Sequence, residues 1–238
     1  MEHEITGHSR KIYKISKNKS MPFWKKVKEI AIEVGIIVFA VSLAAYLERS
    51  REHSHEQTAV KEFLTGLKLD LQSDIHEMSE DKKSFDSAGL GFSYLLSLKM
   101  NQLPNQDSLR KYDRYMTNST GLIPNNGRFE GFKSSGRIVT IEDKELQNDI
   151  MDLYQESIPT LLASTDSYNK RKEYFLIYIA ESRKRVTDST SNYKEILSTD
   201  KAHNLCQNLG YTGEIIDRYD SCIVKSKRII AAIDKAYQ

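Results

Sequence analysis

The densest run of metal-ligating side chains is Glu52-His53-Ser54-His55-Glu56. On a helix, His53 and Glu56, or Glu52 and Glu56, share a face, and either pair would hold a divalent cation only if a second copy supplied more ligands. Short pairs of this kind are also what a solvated helix carries. His3, His8, His76 and His203 are isolated, and no Ser, His and Asp set has the spacing of a triad. The sequence has no phosphate loop, nucleophile elbow, metalloprotease helix or dinucleotide fingerprint, so no catalytic residue, metal or cofactor is expected.

Two further groups invite a functional reading. Glu33 is the one ionisable residue inside an otherwise apolar run, and a carboxylate in such a place is a candidate ion-path group. It also stands at i+4 from Glu29, within a turn of the end of the run, where lysines or headgroups reach it. Ser134, Ser135, Gly136 and Arg137 form the second group. Gly136 suits a left-handed stop to a helix anchored by Phe129 and Phe132, with Ile138, Val139 and Ile141 burying the crossover. Alternatively, Ser134, Ser135 and Arg137 present donors to an anion. Asp70 and Asp74 read as members of a charged helix face. Asn118-Ser119-Thr120 fits a glycosylation acceptor and marks an exposed loop. Cys206 and Cys222 are too few for a disulfide framework and lack zinc-site spacing, and the sequence leaves open whether they pair.

The elements that carry these residues follow from the apolar pattern. From Val34 to Leu47 no charge occurs, and extension back to Ile30 admits only Glu33. These 18 residues rise roughly 27 Å as a helix, enough to cross most of a hydrocarbon core of about 30 Å. Phe23 and Trp24 precede the segment by one turn and Tyr46 closes it, positions where aromatic rings prefer the headgroup layer. Lys25, Lys26 and Lys28 crowd its N-terminal side. The expected topology is a basic cytoplasmic tail over 1–29, a transmembrane helix over 30–47 and a periplasmic helical domain over 48–238, in a bacterial inner membrane. Two rival readings are a cleaved signal peptide, with Ser42-Leu43-Ala44 as the small-x-small site, and a buried helix of a soluble fold. Ala40 and Ala44 form a small-x-x-x-small pair suited to helix pairing.

Charge is distributed unevenly. Residues 1–47 hold eight Lys/Arg (Lys19 among them) against four acids, whereas the rest holds 27 against 29. The bulk of the chain thus gives no electrostatic reason to bind nucleic acid.

Beyond Leu47 the pattern is helical. Val60, Leu64, Leu67, Leu71, Ile75 and Met78 recur at three- and four-residue steps, which predicts a stalk helix leading out of the membrane. Gly89 and Gly91 are expected to loosen it, and Pro104 to mark a loop. A short helix is predicted over 107–116 with Asp107 as N-cap, followed by a turn-rich region over 118–127. A long helix is expected over 141–185, opened by Thr140 with Asp143 as a capping box and kinked or broken by Pro159. Two short helices precede the Gly210/Gly213 turn. The last helix places Ile216, Tyr219, Ile223, Ser226, Ile230, Ile233 and Tyr237 on a bundle or coiled-coil seam with one polar position. The predicted fold class is all-α: one N-terminal transmembrane helix continuing into an antiparallel helical bundle.

Two segments resemble a family of bacterial single-pass membrane proteins of unknown function known mainly from Bacteroidota. The first is Glu29 to Val38 with the charged stretch Glu48 to Glu52, and the second runs from Phe132 through Gly136, Arg137 and Leu146 to Ile150 and Tyr154. Together they span about a quarter of the chain, and the second is the more specific. Ala45-Tyr46-Leu47 departs from the Asn/Trp-rich membrane exit of that family. The resemblance implies location and architecture but carries no activity to any residue. The function expected is a non-enzymatic membrane-anchored module. It would bind a protein partner or small ligand on the periplasmic side, or pair with itself through membrane and stalk helices. The alternative is a subunit of an ion-driven inner-membrane complex that uses Glu33.

Overall fold

The computed structural model describes residues 2–17, 22–187 and 190–237. Met1, Lys19 and the side chains of His3 and His8 lie outside what it describes. The chain divides into two compact units, Met1–Ala59 and Val60–Gln238. The described residues form nine α-helices, no strand, and one isolated bridge between Arg185 and Ser191.

The first unit holds α1 (Glu2–Lys17) and the opening part of α2 (Phe23–Leu96). One stretch of α2 is long and apolar enough to cross a membrane, and only 6% of its most apolar window is buried. A core helix of a soluble fold packs most of that surface away, and this stretch does not do so within its unit. Residues 48–56, the Glu52 to Glu56 run among them, are exposed on every side of α2. A helix polar all round stays in water.

The second unit is an antiparallel helical bundle whose topology can be read from its cross-links. Lys68 pairs with Asp234 and Lys82 with Asp220, so α9 (Gly213–Tyr237) runs opposite to α2. Phe85 packs edge-on against Tyr168 and Phe92 against Phe175, so α6 (Ile158–Ser182) runs with α2. Between them the chain descends along α2 through α3 (Gln106–Thr117), a non-helical stretch over 118–126, and α4 (Gly127–Ser134), where Phe132 stacks on Phe63 at 4.0 Å. It climbs again through α5 (Lys144–Asp152) into α6, and α7 (Tyr193–Leu197) and α8 (Asp200–Cys206) lead over to α9.

Three seams fill the core. Leu67, Leu71, Asp74 and Met78 on α2 repeat at alternating four- and three-residue steps. So do Leu161, Thr165, Tyr168, Lys172, Phe175 and Ile179 on α6, and Ile215, Tyr219, Cys222, Ser226, Ile229 and Ile233 on α9. This is knobs-into-holes spacing.

Several local expectations are corrected. The seam of α2 turns through Asp74, with Ile75 only half-buried beside it. On α9 the expected Tyr219, Ile223, Ser226 and Ile233 are buried, but Ile215, Cys222 and Ile229 complete the seam in place of Ile216, Ile230 and Tyr237, which are only half-buried. Gly89 and Gly91 do not loosen α2, which continues to Leu96. A β-carbon on Gly91 would lie 2.6 Å from Met116 Sδ and 2.8 Å from Tyr112 Cβ, so the glycine admits α3 at close range. The α3 cap is Asn105, whose Oδ1 accepts from the Asp107 and Ser108 amides, and not Asp107. Thr140 donates to the Arg137 carbonyl, leaving Asp143 to cap α5 through the Leu146 amide. The long helix over 141–185 is divided by a π turn at Leu153–Ser157, where the Ile158 amide reaches five residues back to Leu153. Pro159 follows at once. Its ring would clash with the carbonyl four residues earlier, and the wider turn relieves that clash. Val139, expected inside, is 64% exposed.

Candidate functional site

In the first unit the chemistry centres on an apolar belt and one carboxylate. Ile32, Val34, Ile36, Val38, Phe39, Val41, Leu43 and Leu47 are all exposed and cover most of the helix, while Ile30, Ile37 and Ala44 are half-buried on the face that holds Glu33. Glu33 is buried to 6% exposure, and Lys11 Nζ of α1 lies 2.7 Å from its Oε1. The hydrogen bond and charge of Glu33 raise the Lys11 ammonium above its ordinary value. The sequence placed Glu33 within reach of lysines but did not single out Lys11, because nothing local registers α1 against α2.

In the second unit the most heavily bonded polar region is the break between α3 and α4. Gly121 and Pro124 stop the helix from running through, since proline lacks an amide donor and biases Ile123 to extended backbone. The freed backbone groups inside a bundle must be paired elsewhere. On the donor side, the Ile123 amide donates to Glu77 Oε1 at 2.9 Å and the Asn125 amide to Asp74 Oδ1 at 3.1 Å. Asn125 Nδ2 adds a third bond to Asp74 at 2.6 Å, and Arg128 Nε meets Asp70 Oδ2 at 2.9 Å. On the acceptor side, Asn169 Nδ2 donates to the Thr120 carbonyl at 2.7 Å, and Lys172 Nζ donates to the carbonyls of Tyr115 and Asn118 at the end of α3. Lys172 thus sits at the C-terminal end of α3 and Asp74 before the start of α4, the arrangement favoured by the helix dipole.

The cost of this clasp appears in the titrating groups. Asp74 is fully buried, and loss of water raises its carboxyl above the ordinary range, against the pull of the Asn125 donors. Asp81, one further step along the ladder, is raised by burial too and accepts from the Tyr219 hydroxyl at 3.1 Å. Lys172 is 2% exposed, and burial lowers its ammonium to about 8. Tyr154, stacked on Phe129 at 4.5 Å, buries a hydroxyl with no partner among the described residues, and burial raises it above the ordinary phenol range. Asp74 therefore does not belong to a charged outer face, whereas Asp70 is a half-buried partner of Arg128. Sequence reasoning missed Lys172 entirely. Its signal was present: it occupies a seam position between Tyr168 and Phe175.

The turn over Ser134, Ser135, Gly136 and Arg137 is formed as one exposed unit, with Gly136 left-handed at φ 73°. Ser134 Oγ donates to the Gly131 carbonyl at 3.1 Å and Ser135 Oγ to the Phe132 carbonyl at 2.8 Å. Both hydroxyl protons are thus directed back into α4. Phe129, Ile138 and Ile141 are buried beneath, as a helix stop and crossover requires. Cys206 and Cys222 are both free and buried, their thiols pushed up to about 12 and about 11. Among the described residues no three His, Cys, Asp or Glu side chains gather where they could hold a metal ion. No family model, curated protein or solved structure matches the chain.

Proposed function

We propose that the chain is a membrane-anchored helical module, non-enzymatic, that binds a protein partner or a small ligand on the periplasmic face of a bacterial inner membrane. The observation that carries this reading is the belt over 30–47, where Ile32, Val34, Ile36, Val38, Phe39, Val41, Leu43 and Leu47 expose apolar side chains over most of the helix, all but the face of Glu33. In water such a surface costs about 25 cal/mol for every Å² of apolar area left exposed, and hydrocarbon removes that cost while the helix satisfies its own backbone. Lys25, Lys26 and Lys28 on one side set the orientation by retention on the cytoplasmic face. The resemblance of residues 132–154 to the Bacteroidota family supports the same location. A non-enzymatic role is supported by where the buried charges of the helical unit are spent: Asp74 and Lys172 hold backbone groups of the α3–α4 break.

Two measurements test the reading together. The intact chain should stay with the membrane pellet through an alkaline carbonate wash. A reporter fused after Gln238 should be active if it needs the periplasm and inactive if it needs the cytoplasm. Release of the uncleaved chain by carbonate, or the opposite reporter pattern, refutes the anchor or the orientation respectively.

A further inference from the structure

Where α3 faces the end of α6, the helical unit carries a groove of about 530 Å³, within the range of roughly 300–1,000 Å³ usual for small-molecule sites. Its floor is apolar, formed by Leu109, Leu176 and Ile179. Its rim carries Arg110 and Asp113 from α3, Arg183 from the end of α6, and Tyr193 from α7. The Arg183 guanidinium lies 4.8 Å from the centre of the Tyr193 ring, and the Tyr193 hydroxyl donates to Asp113 Oδ1 at 2.8 Å. Among the described residues neither Arg110 nor Arg183 has a carboxylate partner.

We propose that this groove binds a small amphiphilic carboxylate, its head held by Arg110 and Arg183 and its apolar body laid on Leu109, Leu176 and Ile179. Charge decides the class. Two guanidinium groups against one carboxylate leave one positive charge, which a monoanion neutralises and a phosphate dianion would overshoot beside Asp113. A carboxylate also matches the forked donors of arginine. Tyr193 holds Arg183 in place by stacking and fixes Asp113 by its hydroxyl, so one arginine is oriented before the ligand arrives. Lys172 anchors the far end of α3 and keeps the groove's first wall in register with α6.

The proposal gives the small-ligand arm of the proposed function a chemical class and rests on that arm alone. The test uses the intact chain in phosphatidylcholine nanodiscs, titrated calorimetrically with 4-phenylbutyrate and, separately, with 4-phenylbutylamine, after subtraction of empty discs. The two probes share an apolar body and differ in the sign of the head. The carboxylate should bind with a dissociation constant on the order of 100 µM, and the amine at least tenfold more weakly. The double variant Arg110→Gln with Arg183→Gln should lose at least tenfold for the carboxylate while staying folded with only a small fall in melting midpoint, since both side chains are exposed and only the Arg183–Tyr193 stack is lost. Ala180→Trp, which fills the groove and keeps both charges, should produce the same loss. Equal binding of the two probes, undiminished binding by both variants, or no binding by the intact chain overturns the assignment. None of those results touches the anchor, which carbonate extraction and the reporter pattern decide independently.

Discussion

A buried lysine without a carboxylate is expensive to keep, and Lys172 shows what the expense secures. Its Nζ holds carbonyls at the end of α3, and replacement by methionine fills the space but leaves those carbonyls without a donor. The pH dependence separates the two effects. Below pH 8 the lysine is protonated in both folded and unfolded chains, and the folded state carries the full cost of a buried charge. Between pH 8 and the ordinary 10.5 the unfolded chain still binds the proton that the folded chain has released, so stability rises with pH. The buried thiols of Cys206 and Cys222 act in the opposite sense above pH 9, since they stay protonated in the fold while ionising in the unfolded chain. The difference between wild type and Lys172→Met cancels their share. That difference should grow in favour of wild type by about 1.4 kcal/mol per pH unit, to about 3 kcal/mol at most, between pH 8 and 10.5. Denaturant midpoints at four pH values measure it, and a flat difference would show that the ammonium is not depressed. Tyr154→Phe is a second residue-level case. Its hydroxyl is buried without a partner among the described residues, so deletion should leave stability unchanged or raise it by about 1 kcal/mol, with the stack on Phe129 intact. A loss above 1 kcal/mol in the same denaturation assay would reveal a hydrogen bond to that oxygen.

Among the elements, two glycines in helices make opposite predictions from one substitution. Alanine is favoured over glycine in a helix by roughly 0.5–1 kcal/mol. Gly131→Ala in α4, where a β-carbon meets nothing within 4 Å, should therefore stabilise by about that amount. Gly91→Ala should destabilise by about 1–3 kcal/mol, because Tyr112 Cβ at 2.8 Å belongs to the facing helix and cannot swing aside. Thermal midpoints of the two variants should move in opposite directions, and a shared direction would contradict the close approach of α3. The same contrast shows what could be read in advance. Helix existence and the bundle class were legible, because apolar steps of three and four residues are a local property of the chain. Glycine was legible only as a loosener, since its packing role depends on Met116 and Tyr112 from another helix. Asp74, Thr165, Lys172 and Ser226 interrupt the seams; Thr165 and Ser226 were read as seam residues, and the seam positions of Asp74 and Lys172 could have marked them as buried too. What they bond to could not be read. Asp74 and Lys172 serve a break whose residues meet α2 and α6 only in the folded bundle. The left-handed Gly136 stop over buried Ile138, by contrast, was legible because it needs little beyond its own few residues, although Val139 turns outward against expectation.

At the scale of the whole molecule, the two units ask for different solvents. Among the described residues, every member of the hydrophobic core, from Val60 to Ile233, lies in the second unit. A chain beginning at Val60 should accordingly be soluble, helical by far-UV circular dichroism and cooperative in melting; an aggregate or a molten species would show that the core is incomplete without the first unit. The belt obeys the opposite rule. A lysine at the centre of a spanning helix costs about 2.5–3.5 kcal/mol in apparent insertion free energy, whereas each Val, Ile, Leu or Phe contributes only about −0.3 to −0.6. Val38→Lys with Val41→Lys should therefore offset the gain from roughly ten apolar residues, and a span this short has few to spare. The double variant should leave the membrane pellet for the carbonate supernatant. Val224→Lys provides the control: the side chain is 66% exposed on α9, and the same added charge there should change neither the fraction in which the chain is found nor its melting midpoint. If the belt variant stays in the pellet as firmly as the control, something other than residues 30–47 holds the chain to lipid, and the anchor has to be sought on the surface of the helical unit.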